Sequence, residues 1–217
     1  MTVRGLFHSD PIWRYTGGMN EISPTPFSRR PTQAAEGLPR WRWSLTEFDQ
    51  MIEHGLLSED DRVELIDGEM VPMHAKGGRH ELVKIKLFNF LMRRVPEELE
   101  IGVELGWRPG GDVYLEPDIV IYGVGPSPEH VPATDTLLVV EISDSSLRYD
   151  LDRKAKIYAG LGVREYWVVD ANTLQTRVHR EPAGENYGKV SDHQKDETLT
   201  PTLLPALAVS LGALKFG

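Results

Sequence analysis

TLLVVEISDSSLRYDLDRKAKIYAGLGVREYWVVD, residues 136–170, decides how this chain folds. Leu137-Leu138-Val139-Val140 is an apolar run of buried-strand length, and it ends on Glu141. Asp150 to Ala159 then reads as a helix, closed by Gly160 or Gly162, because glycine readily takes the left-handed conformation at a helix end. Arg164 to Asp170 returns to strand character with Tyr166, Trp167, Val168 and Val169.

Upstream, Glu116-Pro117-Asp118 stands directly before Ile119-Val120-Ile121, inside a strand-like run from Val113 to Tyr122. Another such run covers Ile101 to Trp107, and Gly123 to Pro132 is a polar separator. Val83, Leu87, Phe90 and Leu91 fall at helical spacing within His80 to Arg94, and Pro96 closes that helix. Earlier, Asp67-Gly68 lies between Val63–Ile66 and Glu69–Val71, the turn chemistry of a tight hairpin. Ser44 with Glu47 forms a capping box, so a short helix runs from there to Gly55.

Downstream, Leu174 to Arg180 is expected as a strand and residues 181–196 as a polar loop. The apolar tail from Leu199 to Phe216 is expected as a strand with a packing segment. Residues 1–40 hold Gly17-Gly18 and Pro24, Pro26, Pro31 and Pro39, and read as an extended or partly disordered leader. The domain is expected over 41–217, a mixed-sheet α/β body.

With 217 residues there is room for one well-buried domain and too little for two full ones. No cysteine is present, which removes disulfides, thiolate zinc sites and a cysteine nucleophile. No apolar stretch approaches the roughly 20 residues of a membrane helix, so a soluble, cytoplasmic protein without membrane partners is expected. The net charge of -9 argues against a general DNA-coating protein. It leaves open an enzyme acting on phosphodiesters, because bound cations offset acidic ligands.

Three features carry the chemistry. Asp118 enters one apolar strand, and Glu141 ends another, where a buried carboxylate is costly unless paired or bound to metal. Asp150, Lys154 and Tyr158 recur at intervals of four on the following helix, close to one face. Two carboxylates on neighbouring strands suit a hard cation such as Mg2+ or Mn2+, and a lysine beside them stabilises developing charge or places water. Each residue also has an ordinary structural reading. Asp118 could cap a turn, Glu141 could be solvated, and Lys154 could pair with Asp150 on an exposed face.

Val63-Glu64-Leu65-Ile66-Asp67-Gly68-Glu69, His80, Pro117-Asp118, Val140-Glu141-Ile142-Ser143, Asp150 with Lys154 and Tyr158, and Gly162 through Asp170 occur in one order. This order resembles the Uma-type restriction endonuclease family of the PD-(D/E)XK nuclease superfamily, over about Trp41 to Arg180. The resemblance implies a restriction-endonuclease-like fold, a mixed central sheet flanked by helices. It implies Asp118 and Glu141 as metal ligands, with Glu64 or His80 completing the site. The superfamily pattern places lysine two residues after the second acid, where this chain has Ser143; the resemblance gives that task to Lys154. The function expected is divalent-metal-dependent cleavage of DNA, and a homodimer is expected by analogy with the two-fold symmetry of duplex substrates. The alternatives are an inactive module that keeps the fold, and a hydrolase of small phosphodiesters.

Overall fold

The computed structural model describes residues 40–58, 61–125 and 127–216. The leader expected over residues 1–40 lies, apart from Arg40, outside the described residues.

Six strands form one mixed sheet in the order β3-β4-β5-β6-β7-β8. They are β3 (Leu99–Val103), β4 (Ile119–Gly123), β5 (Thr136–Ser143), β6 (Glu165–Asp170), β7 (Thr176–Ala183) and β8 (Asn186–His193). Only β5 and β6 run parallel. Parallel neighbours need a crossover, and the helical segment between them supplies it. That segment is α-helical over α3 (Leu147–Tyr149), π-helical over Asp150–Lys154 and α-helical again over α4 (Ala155–Leu161). Gly162, at φ +86°, caps α4 in the left-handed conformation.

Alternate residues of the central strands feed two apolar layers. Ile119, Ile121, Leu138, Val140, Ile142, Trp167 and Val169 face one side, against Val83, Leu87 and Leu91 of α2 (Gly78–Met92). Val120, Tyr122, Val139, Tyr166 and Val168 face the other, against Ala155 and Tyr158 of α4. Each fully buried aliphatic side chain in these layers contributes about 1.5–3 kcal/mol relative to exposure. Burial on both faces explains why these strands read as continuous apolar runs rather than alternating ones.

The helix start at Ser44 forms as its sequence indicates. In α1 (Leu45–Glu53) the Glu47 amide donates to Ser44 Oγ and the Ser44 amide to Glu47 Oε2. Strands β1 (Val63–Ile66) and β2 (Glu69–Pro72) make the hairpin, with Asp67 and Gly68 both at positive φ. A Cβ on Gly68 would lie 2.7 Å from Arg42 Cβ, so this position requires glycine for space as well as conformation.

Several expectations need correction. The run from Ile101 to Trp107 stops as a strand at Val103, because Glu104 turns the backbone to φ +48°. The run from Val113 to Tyr122 is divided: Tyr114 and Leu115 make isolated bridges to Leu65 and Trp107, and the strand proper begins at Ile119. The helix expected to start at Asp150 begins earlier, at Leu147, and contains the π turn. The polar loop expected over 181–196 is largely strand, since β7 and β8 pair as a hairpin. Gly184, at φ +62°, leads its two-residue turn. As an edge strand with little burial, β8 carries no apolar period for the eye to find.

The tail packs rather than extends. Leu199 bridges Val209, and Leu204, Leu207 and Leu211 bury themselves in the α2-side layer. Among the described residues, no helix is long and apolar enough to cross a membrane.

His179 on β7 is buried against the rings of Tyr166 and Tyr187, with centroids 5.3 and 5.4 Å away. Burial lowers its pKa to about 4, against a smaller opposing effect of a hydrogen bond to the Tyr166 backbone. The fold therefore favours the neutral ring, while the unfolded chain binds a proton from about pH 6.5 downward. This contribution is fully present above pH 6.5 and is lost as the pH falls toward 4, on the order of 2–3 kcal/mol. Urea unfolding at pH 7.5 and pH 5 should show a smaller loss for His179→Phe than for the wild type. Equal losses in the two proteins would refute this account.

Candidate metal and phosphodiester site

The β4–β5 register pairs Ile119 with Val140 and Val120 with Val139. Asp118 and Glu141 each lie one residue beyond the Ile119–Val140 pair, and both line one cleft. Both are buried, at 2% and 4% exposure.

Asp118 is held from three directions. Its Oδ2 accepts the Ile142 amide at 2.8 Å and lies 3.0 Å from His80 Nε2. Its Oδ1 lies 3.1 Å from Lys76 Nζ, an ion-pair contact without a directed hydrogen bond. Burial alone would raise the pKa of this carboxyl, but His80, Lys76 and the Ile142 amide overcome that and lower it to about 2.

Glu141 Oε1 accepts from Lys154 Nζ at 2.9 Å and from Tyr158 Oη at 2.8 Å. Lys154 Nζ also meets Glu64 Oε1 at 3.0 Å, so its ammonium lies between two carboxylates. Burial and the nearby charges of Asp118, Asp150 and Glu64 outweigh Lys154 and push Glu141 up to about 8. The Lys154 ammonium, although burial disfavours it, is held well above its ordinary value by Glu141, Glu64 and Asp150.

The π turn explains why the lysine arrives here. Along an α-helix a spacing of four overshoots one turn of 3.6 residues. A π turn, with its i→i+5 hydrogen bonds, is wider and undershoots. Asp150 and Lys154 span the π stretch, while Lys154 and Tyr158 span mostly α-helix. The two errors oppose each other, and all three side chains are buried. Asp150 is tethered in turn: its Oδ2 accepts from Ser143 Oγ at 2.6 Å and from Ser146 Oγ at 2.5 Å. Ser143, standing where the superfamily pattern has lysine, thus anchors the helical segment that delivers Lys154. Beneath it, Tyr158 stacks near Trp107 and Tyr166, and Tyr166 Oη donates to the Asp150 carbonyl.

One cleft contains all five residues singled out in the sequence: Glu64, His80, Asp118, Glu141 and Lys154. Lys76 also lines it, and the sequence reading missed that residue. It lies in the connection between β2 and α2, where no periodicity or motif marks it. Asp150 and Tyr158 were legible in the helix spacing but were not assigned to the site.

The donor set suits a hard cation, being carboxylate oxygen, and Asp118 Oδ1 is a buried acceptor without a hydrogen bond. Among the described residues no three acidic or imidazole side chains already enclose an ion-sized space. The ammonium groups of Lys76 and Lys154 stand beside the carboxylates instead.

A mixed six-stranded sheet, flanked by α2 and α4 and bearing two acids at a strand junction, defines the restriction-endonuclease-like class. A crystal structure described as a putative nuclease belonging to DUF820, from Anabaena variabilis, shares this fold. The match has a TM-score of 0.59 at 16% identity and covers 79% of this chain and 96% of that one. The family described as Uma2, putative restriction endonuclease, matches residues 45–212, and the chain belongs to this family. No curated protein matches it.

Proposed function

We propose that this protein is a divalent-metal-dependent nuclease that hydrolyses phosphodiester bonds in DNA. The observation that carries this reading is the presence of buried Asp118 and Glu141 in one cleft, with Lys154 held between Glu64 and Glu141. Asp118 and Glu141 would hold Mg2+ or Mn2+, with Glu64 close enough to Lys154 to join them. When bound, the ion supplies an acidified water and offsets charge on the phosphate. His80 and the Ile142 amide fix Asp118, and Tyr158 fixes Glu141. Lys154 orients the attacking water or meets the negative charge that develops at phosphorus. The reading includes a cytoplasmic setting and a homodimer suited to duplex DNA. In the apolar tail Leu199, Leu204, Leu207 and Leu211 are buried in the protein's own core, while Leu203 stays exposed.

Supercoiled plasmid should be nicked by the purified protein with millimolar magnesium or manganese, and left intact with a chelator. Manganese binding without nicking would keep the site, and activity on small phosphodiesters with none on polynucleotide would favour the small substrate. Neither binding nor nicking would favour the inactive module, the reading that the two ammonium groups among the carboxylates support.

A further inference from the structure

Lys76 occupies an unusual position for a loop lysine. Its ammonium touches Asp118 Oδ1 at 3.1 Å, while Asp118 Oδ2 is already taken by His80 and the Ile142 amide. The oxygen left for a cation is therefore the one Lys76 covers. The side chain is 12% exposed and is bonded on its other side to Glu104 Oε1. Glu104 also accepts Lys84 Nζ at 2.7 Å, and Lys84 in turn reaches Glu81 at 2.8 Å. Glu104 itself is 39% exposed and stands between Lys76 and Lys84 in this chain of charges.

We propose that Lys76 is a built-in counter-cation that a divalent ion must displace from Asp118, and that Glu104 retains the displaced ammonium. This rests on the metal-binding reading of the cleft. A buried carboxylate without a partner is costly, so Lys76 stabilises the protein while no ion is bound. A divalent ion and an ammonium cannot both sit against one carboxylate oxygen without strong repulsion. Glu104 gives the lysine a second carboxylate already in contact, so displacement requires a small shift rather than a return to water. The wild-type protein thus binds its metal more weakly than its carboxylates alone would allow.

The test compares manganese titration calorimetry and metal-free melting for wild type and Lys76→Met. The variant should bind manganese roughly tenfold more tightly, the effect of removing one competing positive charge. It should also melt lower without metal and gain more from manganese than the wild type does. Lys76→Gln, which keeps a donor but no charge, supplies the same comparison if the methionine variant does not fold. Equal or weaker manganese binding in the uncharged variants overturns the role of Lys76 and leaves the metal site standing. No manganese binding in any of the proteins overturns the metal reading and this one with it.

Discussion

Asp118→Asn is expected to abolish metal-dependent nicking, a fall on the order of 10³-fold or more, the scale of losing one essential group from a preorganised charged site. The substitution changes no volume, so the reason is charge and orientation. The Ile142 amide donates to Oδ2 and needs an acceptor there. Asparagine must place its carbonyl oxygen at that point, which turns its NH2 to the Oδ1 position. A donor then stands where the cation needs an oxygen, and it faces Lys76 as well. Manganese titration should show binding lost together with nicking, in protein whose melting curve remains cooperative. Nicking at the wild-type rate would remove Asp118 from the mechanism and with it the assignment of the cleft.

Lys154→Met carries the largest expected effect on stability. Lys154 is 6% exposed, and its ammonium bridges Glu64 and Glu141. Methionine retains most of the packing but leaves two buried carboxylates facing each other. Breaking one side of a buried ion pair costs about 3–5 kcal/mol. Glu141→Gln added to Lys154→Met should recover part of it, because the two residues touch and their effects do not add. Urea unfolding of the two single variants and the double variant gives the coupling directly. A Lys154→Met protein within about 1 kcal/mol of wild type would show that Glu64 and Glu141 find other partners.

What could be read from the chain, and what could not, divides on physical lines. Asp118 and Glu141 were legible because one opens an apolar run and the other ends one, and a charge at such a point needs an explanation. The hairpin was legible because Asp67-Gly68 has few other uses between alternating strands. Strand β8 was not, because an exposed edge satisfies its polar side chains in water and leaves no hydrophobic signature. The end of β3 was misjudged because Glu104 adopts a positive φ that its residue type does not announce. Lys76 was invisible for a different reason. Its partners, Glu104 and Asp118, come from distant parts of the chain, and only the tertiary fold brings them to it. The π turn has no sequence mark either, yet the delivery of Lys154 depends on it.

That turn gives the protein a reading frame in space. The wide stretch over Asp150–Lys154 accommodates residues that a plain α-helix would space differently. Deleting one residue there rotates everything on one side of the cut by about 100° relative to the other. Whichever side keeps its packing, Asp150 and Lys154 no longer look the same way. A single-codon loss could therefore silence the site and spare the α2-side layer, which the central strands, α2 and the tail build without this segment. In a lineage of such proteins, the length of this short segment would separate catalysts from folded descendants that have lost their chemistry.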